Sequence, residues 1–467
     1  MDQSASRIVI IGGGPGGYEA ALVAAQLGAA VTVVEAEGLG GACVLTDCVP
    51  SKTLIETSGA MAALSGSAGL GIRLGRDPGR APASGAVDAP GVYRRVKELA
   101  RAQSADVAGR LAAEGVEVIA GPGRLTGPRT VAVGGREIAA GTVLIATGAR
   151  PRLLPGSEPD GERILNWRQL YDLPELPAEL IVVGSGVTGA EFASAYQALG
   201  SRVTLVSSRT RVLPHEDADA AMVIEGVFRR NGMTVLGQSR AAAVKRTGQG
   251  VTVTLTDGSE VTGSHCLLTV GMTPATADLG LEQAGIRLDD GGFVQVDRVS
   301  RTSVPGVYAA GDCTGVMMLA SVAAMQGRIA MWHALGEAVQ PLRLSHVAAT
   351  IFTDPEIATV GVPHTAILSG EVAARVVKLP LATNPRAKMA GLRDGFVKLY
   401  ARPGPGTVLG GVVVAARASE LILPVSLAVE QQLTVDQMAH TFAVYPSLSG
   451  SLTEAARQLM RSSTESD

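Results

Sequence analysis

What most limits the fold of this chain is a pattern that occurs twice: a short β-rich apolar run, a glycine turn, a helix-like stretch and a second β-rich run. The first copy starts at Arg7-Ile8-Val9-Ile10-Ile11, turns through Gly12-Gly13-Gly14-Pro15-Gly16-Gly17, continues as a helix-like Tyr18–Leu27 and ends in Ala30-Val31-Thr32-Val33-Val34, closed by Glu35. The second starts at Leu180-Ile181-Val182-Val183, turns through Gly184-Ser185-Gly186-Val187-Thr188-Gly189, continues as Glu191–Leu199 and ends in the run Arg202–Val206. Strand, turn, helix and strand in that order make a βαβ unit, the building block of a parallel sheet. Two such units in one chain predict two nucleotide sites.

Each glycine has a separate task in such a turn. Gly12 permits the tight bend, Gly14 lets the backbone approach a pyrophosphate, and Gly17 lets helix and strand pack closely. The phosphates then meet the helix amino terminus, where free N–H groups and the dipole favour anions. Glu35 stands about 20 residues on, where an acid holds ribose hydroxyls. In the second copy Gly184, Gly186 and Gly189 repeat the spacing, but the next strand is followed by Ser207, Arg209 and Arg211. No acid stands there to repel a 2′-phosphate, and two arginines can pair with one, which favours NADPH or tolerance of both NADPH and NADH.

At 467 residues the chain exceeds the ~250–300 residues that one core usually supports, so two or three domains are expected. Charged residues make up 18% and the formal net charge is -3, without the basic surplus of a nucleic-acid binder. No run of ~18 apolar residues suggests a membrane span. The polar start Met1–Ser6 leads straight into a strand pattern rather than a leader, and four cysteines are too few for a secreted disulfide scaffold. A cytoplasmic location is expected. Asp77–Pro90 reads as a surface loop, Tyr93–Glu114 as a long amphipathic helix, and a change of character at His346 brings strands at Gly395–Ala401 and Leu409–Ala415.

Gly40-Gly41-Ala42-Cys43-Val44-Leu45-Thr46-Asp47-Cys48-Val49-Pro50-Ser51-Lys52 carries the most chemistry. A helix is expected to start near Pro50. Within one helical turn the two sulfurs could meet, and a helix amino terminus lowers a thiol pKa. From spacing alone the pair is redox-active, a metal half-site, or two buried inert cysteines. A zinc site needs two further ligands, and no such Cys/His cluster is visible, so no metal is expected.

This segment resembles the Gly-Gly-x-Cys-x-x-x-x-Cys-x-Pro-Ser-Lys signature of the FAD-dependent pyridine nucleotide–disulfide oxidoreductases, such as lipoamide dehydrogenase and glutathione reductase. Thr147-Gly148, Gly311-Asp312 and Phe352-Thr353-Asp354-Pro355-Glu356 resemble further family segments in the same order. The resemblance implies an α/β chain with two Rossmann-like dinucleotide-binding domains and an α+β carboxyl-terminal dimerisation domain. The implied divisions are 1–150 and 272–345 for FAD, 151–271 for NAD(P) and 346–467 for dimerisation. It implies that Cys48 lies beside the flavin, that Cys43 meets substrate, and that Lys52 sits near the flavin paired with Glu191. FAD contacts would come from Gly12, Gly14, Pro15, Gly17, Glu35, Gly41, Ala42, Lys52, Gly123, Thr147, Gly148, Asp312 and Ala320. NAD(P)H contacts would come from Gly184, Gly186, Gly189, Ser207, Arg209, Arg211 and Gly271, although NADP-specific relatives often have alanine where Gly189 stands. Cys266 and Cys313 match no redox position and read as small apolar fillers.

One departure redirects the expected chemistry. Where the family carries a catalytic His-Pro-Thr-x-x-Glu segment supplied by the partner subunit, this chain has Tyr445-Pro446-Ser447-Leu448-Ser449-Gly450. Tyrosine, with a pKa near 10, is a poor base at pH 7, and losing a general acid–base typically costs ~10²–10⁴ in rate. Neither Glu454 nor His440 restores the motif; His440 reads as an ordinary surface histidine. The chain also ends in Ser-Ser-Thr-Glu-Ser-Asp, without the extra cysteine pair of thioredoxin or mercuric reductases. The pattern resembles the lipoamide dehydrogenase-like NAD(P)H:quinone reductases of actinobacteria, in some of which the first cysteine is lost while Cys43 is kept here. The expected function is hydride transfer from NAD(P)H to flavin and onward to a quinone, by a homodimer. The alternatives are a disulfide reductase with an unusual substrate and a flavin-based redox sensor or binding protein.

Overall fold

A computed structural model describes residues 7–72 and 87–461. The polar start Met1–Ser6, the 77–86 part of the expected loop and the end from Ser462 onward lie outside the described residues. Two five-stranded parallel sheets and one five-stranded antiparallel sheet carry the architecture. The first sheet runs in the order Val307–Ala309, Thr142–Ile145, Arg7–Ile11, Ala30–Glu35, Glu117–Ala120. The second runs Thr234–Leu236, Arg202–Val206, Glu179–Val183, His265–Leu268, Ile164–Leu165. In both, the strand that enters the glycine turn is central, with the next strand in sequence on one side and a later one on the other. Each turn therefore lies at a topological switch point, where open parallel sheets bind ligands.

The apolar runs follow from this placement. Strands covered on both faces cannot alternate polar and apolar residues, and Ile8, Val9, Ile10 and Ile11 are all buried, as are Leu180 to Val183. Val307–Ala309 joins the first sheet only after the whole second sheet has been built, and an antiparallel pair, Ala149–Pro151 with Met272–Pro274, lies at the crossing.

The third sheet runs Ala349–Ile351, Glu356–Gly361, Val408–Ala415, Phe396–Ala401, Arg375–Pro380. Its two longest buried strands divide their residues by the period of two. Phe396, Tyr400, Val412 and Val414 join a core shared with the second unit, whereas Val397, Leu399, Val413 and Ala415 join a core under the carboxyl-terminal helices. The shared core also takes Leu54, Tyr93 and Val96 from the first unit. One apolar cluster thus runs through all three parts of the chain.

The expected Tyr93–Glu114 helix spans Ala89–Ala113. Pro90, expected to be in a loop, belongs to its first turn, where proline loses no hydrogen bond, and the Asp88 carboxylate accepts from Gly91 N at 3.1 Å. Tyr93, Val96, Ala100, Val107 and Leu111 form its buried face. Among the described residues no helix is long and apolar enough to cross a membrane.

His265, buried in the second sheet between Arg163 and Ser264, shows how a core site registers pH. Burial, then the Arg163 charge, lower its pKa to about 4. The unfolded chain, with an ordinary imidazole near 6.5, binds more protons over pH 4–6.5, so this group makes stability fall as pH drops through that window. His265→Gln should flatten the decline, as read from urea midpoints at pH 4.5 and 7.

Candidate functional site

The two glycine turns have nearly the same backbone. Gly12 and Gly184 have φ of +105° and +112°, and Gly14 and Gly186 have φ/ψ of −68°/−176° and −73°/−172°. A Cβ on Gly17 would come within 1.9 Å of Gly12 O, and one on Gly189 within 1.9 Å of Gly184 O. The alanine of some NADP-specific relatives would therefore collide with the chain's own backbone at Gly189. Helices Pro15–Gln26 and Val187–Leu199 start at these turns, with Pro15 in the first turn of the former.

Around the first turn the side chains converge. Glu35 accepts from Gly13 N, and its other oxygen accepts from Glu37 N at 2.6 Å and Gly38 N at 3.1 Å. Gly41 and Ala42 start a short helix, and a Cβ on Gly41 would lie 2.9 Å from the Gly14 Cα. Gly123 packs where a Cβ would sit 2.9 Å from Val34. Thr147 Oγ1 is buried with no protein partner, next to Gly148 at φ +71°. Asp312 starts a short helical turn that Gln326 steadies by accepting from Gly311 N at 2.8 Å, and Ala320 starts the Ala320–Ala334 helix. Burial first, then the Asp47 charge, hold Asp312 up to about 6. These residues fit FAD: a cradle that admits only glycine, an orphaned threonine hydroxyl and a carboxyl with capacity for ribityl hydroxyls.

The helix expected to start near Pro50 starts at Cys48, so the two cysteines do not share one helical turn. Cys43 lies in a short helix, Gly41–Leu45, and Cys48 is the first residue of a separate one, Cys48–Gly66. The chain breaks at Thr46-Asp47, where Asp47 N donates to Ala42 O at 2.8 Å and Ser51 N donates to Asp47 O at 2.7 Å. The sulfurs still meet, as free thiols. Cys48 S–H donates to Cys43, which lowers the Cys43 pKa; the same bond, then burial, raise that of Cys48.

Lys52 and Glu191, distant in sequence, meet at 2.8 Å. Burial lowers the Lys52 pKa, but Glu191, then Cys48, raise it further, and the net shift is upward. The other Glu191 oxygen accepts from Phe352 N at 2.9 Å, and the Lys52 ammonium lies 5.0 Å from the Phe352 ring centre. Asp47 went unnoticed in the sequence. Its carboxyl faces Lys52, Glu191 and Arg168, and burial raises its pKa. Nothing in its spacing marks it, since Glu191 and Arg168 come from other parts of the chain.

At the second turn Ser207 is buried, with Oγ 2.6 Å from Ser185 Oγ. Arg209 is exposed, whereas Arg211 donates to Pro214 O and Glu216 O at 3.2 Å each. Gly271, at φ +102°, accepts from Arg152 N at 2.9 Å. Tyr445 is 82% exposed. Glu454 is engaged by Arg457 at 2.6 Å, and the exposed His440 by Asp436 O of its own helix at 2.9 Å. The two buried cysteines, Cys266 and Cys313, lie in apolar cores.

Paired glycine turns, a thiol pair and a lysine–glutamate bridge define a two-nucleotide redox protein. The family model described as pyridine nucleotide-disulphide oxidoreductase matches residues 6–327, and that of the family's dimerisation domain matches residues 347–456. The chain belongs to this family, whose members use FAD and NAD(P)H. It is similar to the NAD(P)H dehydrogenase (quinone) of Mycobacterium tuberculosis, with 56% identity covering 97% of this chain and 94% of that one. The dihydrolipoyl dehydrogenase of Chlorobaculum tepidum is 34% identical over 97% of each chain. The crystal structure of LpdA from Mycobacterium tuberculosis matches with a TM-score of 0.92, 56% identity and coverage of 97% of this chain and 99% of that one. RclA of Escherichia coli, described as an HOCl-induced flavoprotein disulfide reductase, matches with a TM-score of 0.85, 25% identity and coverage of 97% and 99%.

Removing one member of a buried ion pair costs about 3–5 kcal/mol, and less when a partner is accessible, as Lys52 is at 32%. Lys52→Met should lower the unfolding free energy by about 2 kcal/mol, and adding Glu191→Gln should recover most of it. Denaturant titration of the two variants checks this.

Proposed function

We propose that this chain is an FAD-dependent NAD(P)H dehydrogenase that delivers electrons to a quinone. The observation that carries the reading is an asymmetry. The groups on the electron-input side are drawn together, whereas the position of the family's acid–base pair holds an exposed Tyr445 and Gly450 with no imidazole. FAD, when bound, supplies the two-electron relay between nicotinamide and acceptor. The first glycine turn with Glu35, Thr147 and Asp312 binds it, in a division of the chain at 1–150 and 272–345 for FAD, 151–271 for NAD(P) and 346–467 for dimerisation. The second turn binds NAD(P)H, with Arg209 free to meet a 2′-phosphate. Lys52, fixed by Glu191, presents a positive charge to the flavin. A quinone accepts electrons without a thiol base, so loss of the imidazole costs this reaction nothing, and the name of the mycobacterial relative supports the same acceptor.

The active unit is a homodimer. Phe442, Val444 and Tyr445 form an exposed apolar segment within the part matched by the dimerisation-domain model, and a second copy of the chain is the occupant that the model's name supports. A cytoplasmic location fits a chain with only four cysteines in 467 residues, too few for a secreted disulfide scaffold. The second reading, a disulfide reductase, is favoured by the thiol contact between Cys43 and Cys48, the feature a disulfide acceptor needs.

NADPH oxidation by the FAD-loaded protein, with a small quinone and in parallel with lipoamide or oxidised glutathione, separates the readings. Quinone turnover should exceed disulfide turnover by at least ~10²-fold, the typical worth of the missing acid–base group. Cys43→Ala should leave quinone turnover within about twofold while abolishing any disulfide activity. Comparable turnover with a disulfide would reject the quinone reading.

A further inference from the structure

Lys398, in the middle of the Phe396–Ala401 strand, is 1% exposed. Its ammonium lies 2.9 and 2.7 Å from the two oxygens of Asp217 and 2.7 Å from Asp219. Its cross-strand neighbour Lys378 reaches the other Asp219 oxygen at 3.1 Å. His364 Nδ1 lies 3.3 Å from Asp217, with its ring stacked on Tyr400 at 5.6 Å. Burial pushes the Asp219 carboxyl up, but its hydrogen bonds to Lys398 and Lys378 pull it further down, so it is held ionised. Asp217, Asp219 and His364 are close enough to share a cation, and the cation on the two carboxylates is the ammonium of Lys398.

Such a cluster is an expensive way to hold two domains together, since apolar residues of the same volume often do as well. What it fixes is a position. Asp217 is the amino-terminal cap of the Ala218–Arg230 helix and ends the irregular segment 207–216 that leaves the Arg202–Val206 strand. That segment carries Ser207, Arg209 and Arg211. It is tied to the second glycine turn by Leu213 N donating to Ser185 O at 2.8 Å, and to its own end by Arg211 donating to Glu216 O. Leu213 has φ of +51°, so the segment is held in a shape that a free loop avoids. Its strand end is set by the second sheet, and its helix end by a lysine of the third.

We propose that Lys398 is a positioning residue for the nicotinamide nucleotide: from the carboxyl-terminal domain it fixes the 207–217 segment, and so the reach of Arg209 to the adenosine end of NADPH. The inference rests on the reading that the second turn binds NAD(P)H. It makes the nucleotide affinity of one domain depend on a charge in another.

The test uses Lys398→Met/Asp217→Asn in the full-length FAD-loaded protein, with Lys398→Arg as the conservative variant. The double substitution keeps shape, retains a capping oxygen at position 217 and leaves Asp219 paired with Lys378, so it folds where Lys398→Met alone strands the buried Asp217 carboxylate. The readouts are Kd for NADP⁺ and NAD⁺ by titration, and KM and kcat for NADPH with a small quinone. The expected result is a rise of about fivefold or more in Kd and KM for the 2′-phosphorylated nucleotide, the low end of ordinary coupling between sites. The NAD⁺ Kd, kcat and quinone KM should change less than twofold, and Lys398→Arg should recover most of the loss. A folded, FAD-loaded double variant with unchanged nucleotide constants overturns the proposal, as does an equal weakening of both nucleotides. Arg209→Ala separates this from failure of the parent reading. If it weakens NADP⁺ binding while the Lys398 variant does not, only the positioning role falls. If Arg209→Ala changes nothing and wild type shows no saturable nucleotide binding, the site assignment itself falls.

Discussion

A single carboxylate holds the three parts of this chain in register. Glu191 stands on the helix that follows the second glycine turn, one oxygen on Lys52 from the cysteine helix and the other on Phe352 N at the edge of the third sheet. At 4% exposure an unpaired charge there would be costly, so both partners are needed. Because Lys52 is on the same helix as Cys48, the contact that docks the domains also orients the thiol pair. Docking and site geometry are the same interaction, which is why the site cannot be assembled from any one domain.

Close backbone approach is the second condition. A Cβ on Gly17 or Gly189 would stand 1.9 Å from a carbonyl oxygen, which excludes any side chain, and one on Gly327 would stand 2.1 Å from Gly16 O, so the Ala320–Ala334 helix packs against the first-turn helix main chain to main chain. The glycines thus bring two helix amino termini to the centres of two parallel sheets, and the same approach brings the helix that starts at Ala320 beside the first turn. Charge is then concentrated where those edges face the cysteines. Cys43, Cys48, Asp47, Lys52 and Asp312 perturb one another's proton affinities, with burial the recurrent cause of the upward shifts.

Much of this was readable from local sequence, because the signals are local. Val/Ile runs bounded by glycine gave both parallel sheets, and the second strand was expected at Arg202–Val206, where it lies. The cysteine, proline and lysine spacing carried the family, whose models match most of the chain. Boundaries are missed where one residue type serves two structures: Pro90 reads as a turn residue but opens a helix, and the short helix Gly41–Leu45 that carries Cys43 has no signal of its own before the break at Asp47.

What the sequence determined by itself is therefore the pair of nucleotide turns, the family and the missing imidazole, since each is written in residues a few positions apart. What only the tertiary structure decided is the set of neighbours. It gave Glu191 its second partner at Phe352, brought Asp47 near Glu191 and Arg168 and buried Lys398 between two carboxylates of another domain. The physical reason is range: steric and helix-forming preferences act within a few residues of chain, whereas a charge is stabilised by whatever the fold brings within about 3 Å of it, regardless of sequence distance.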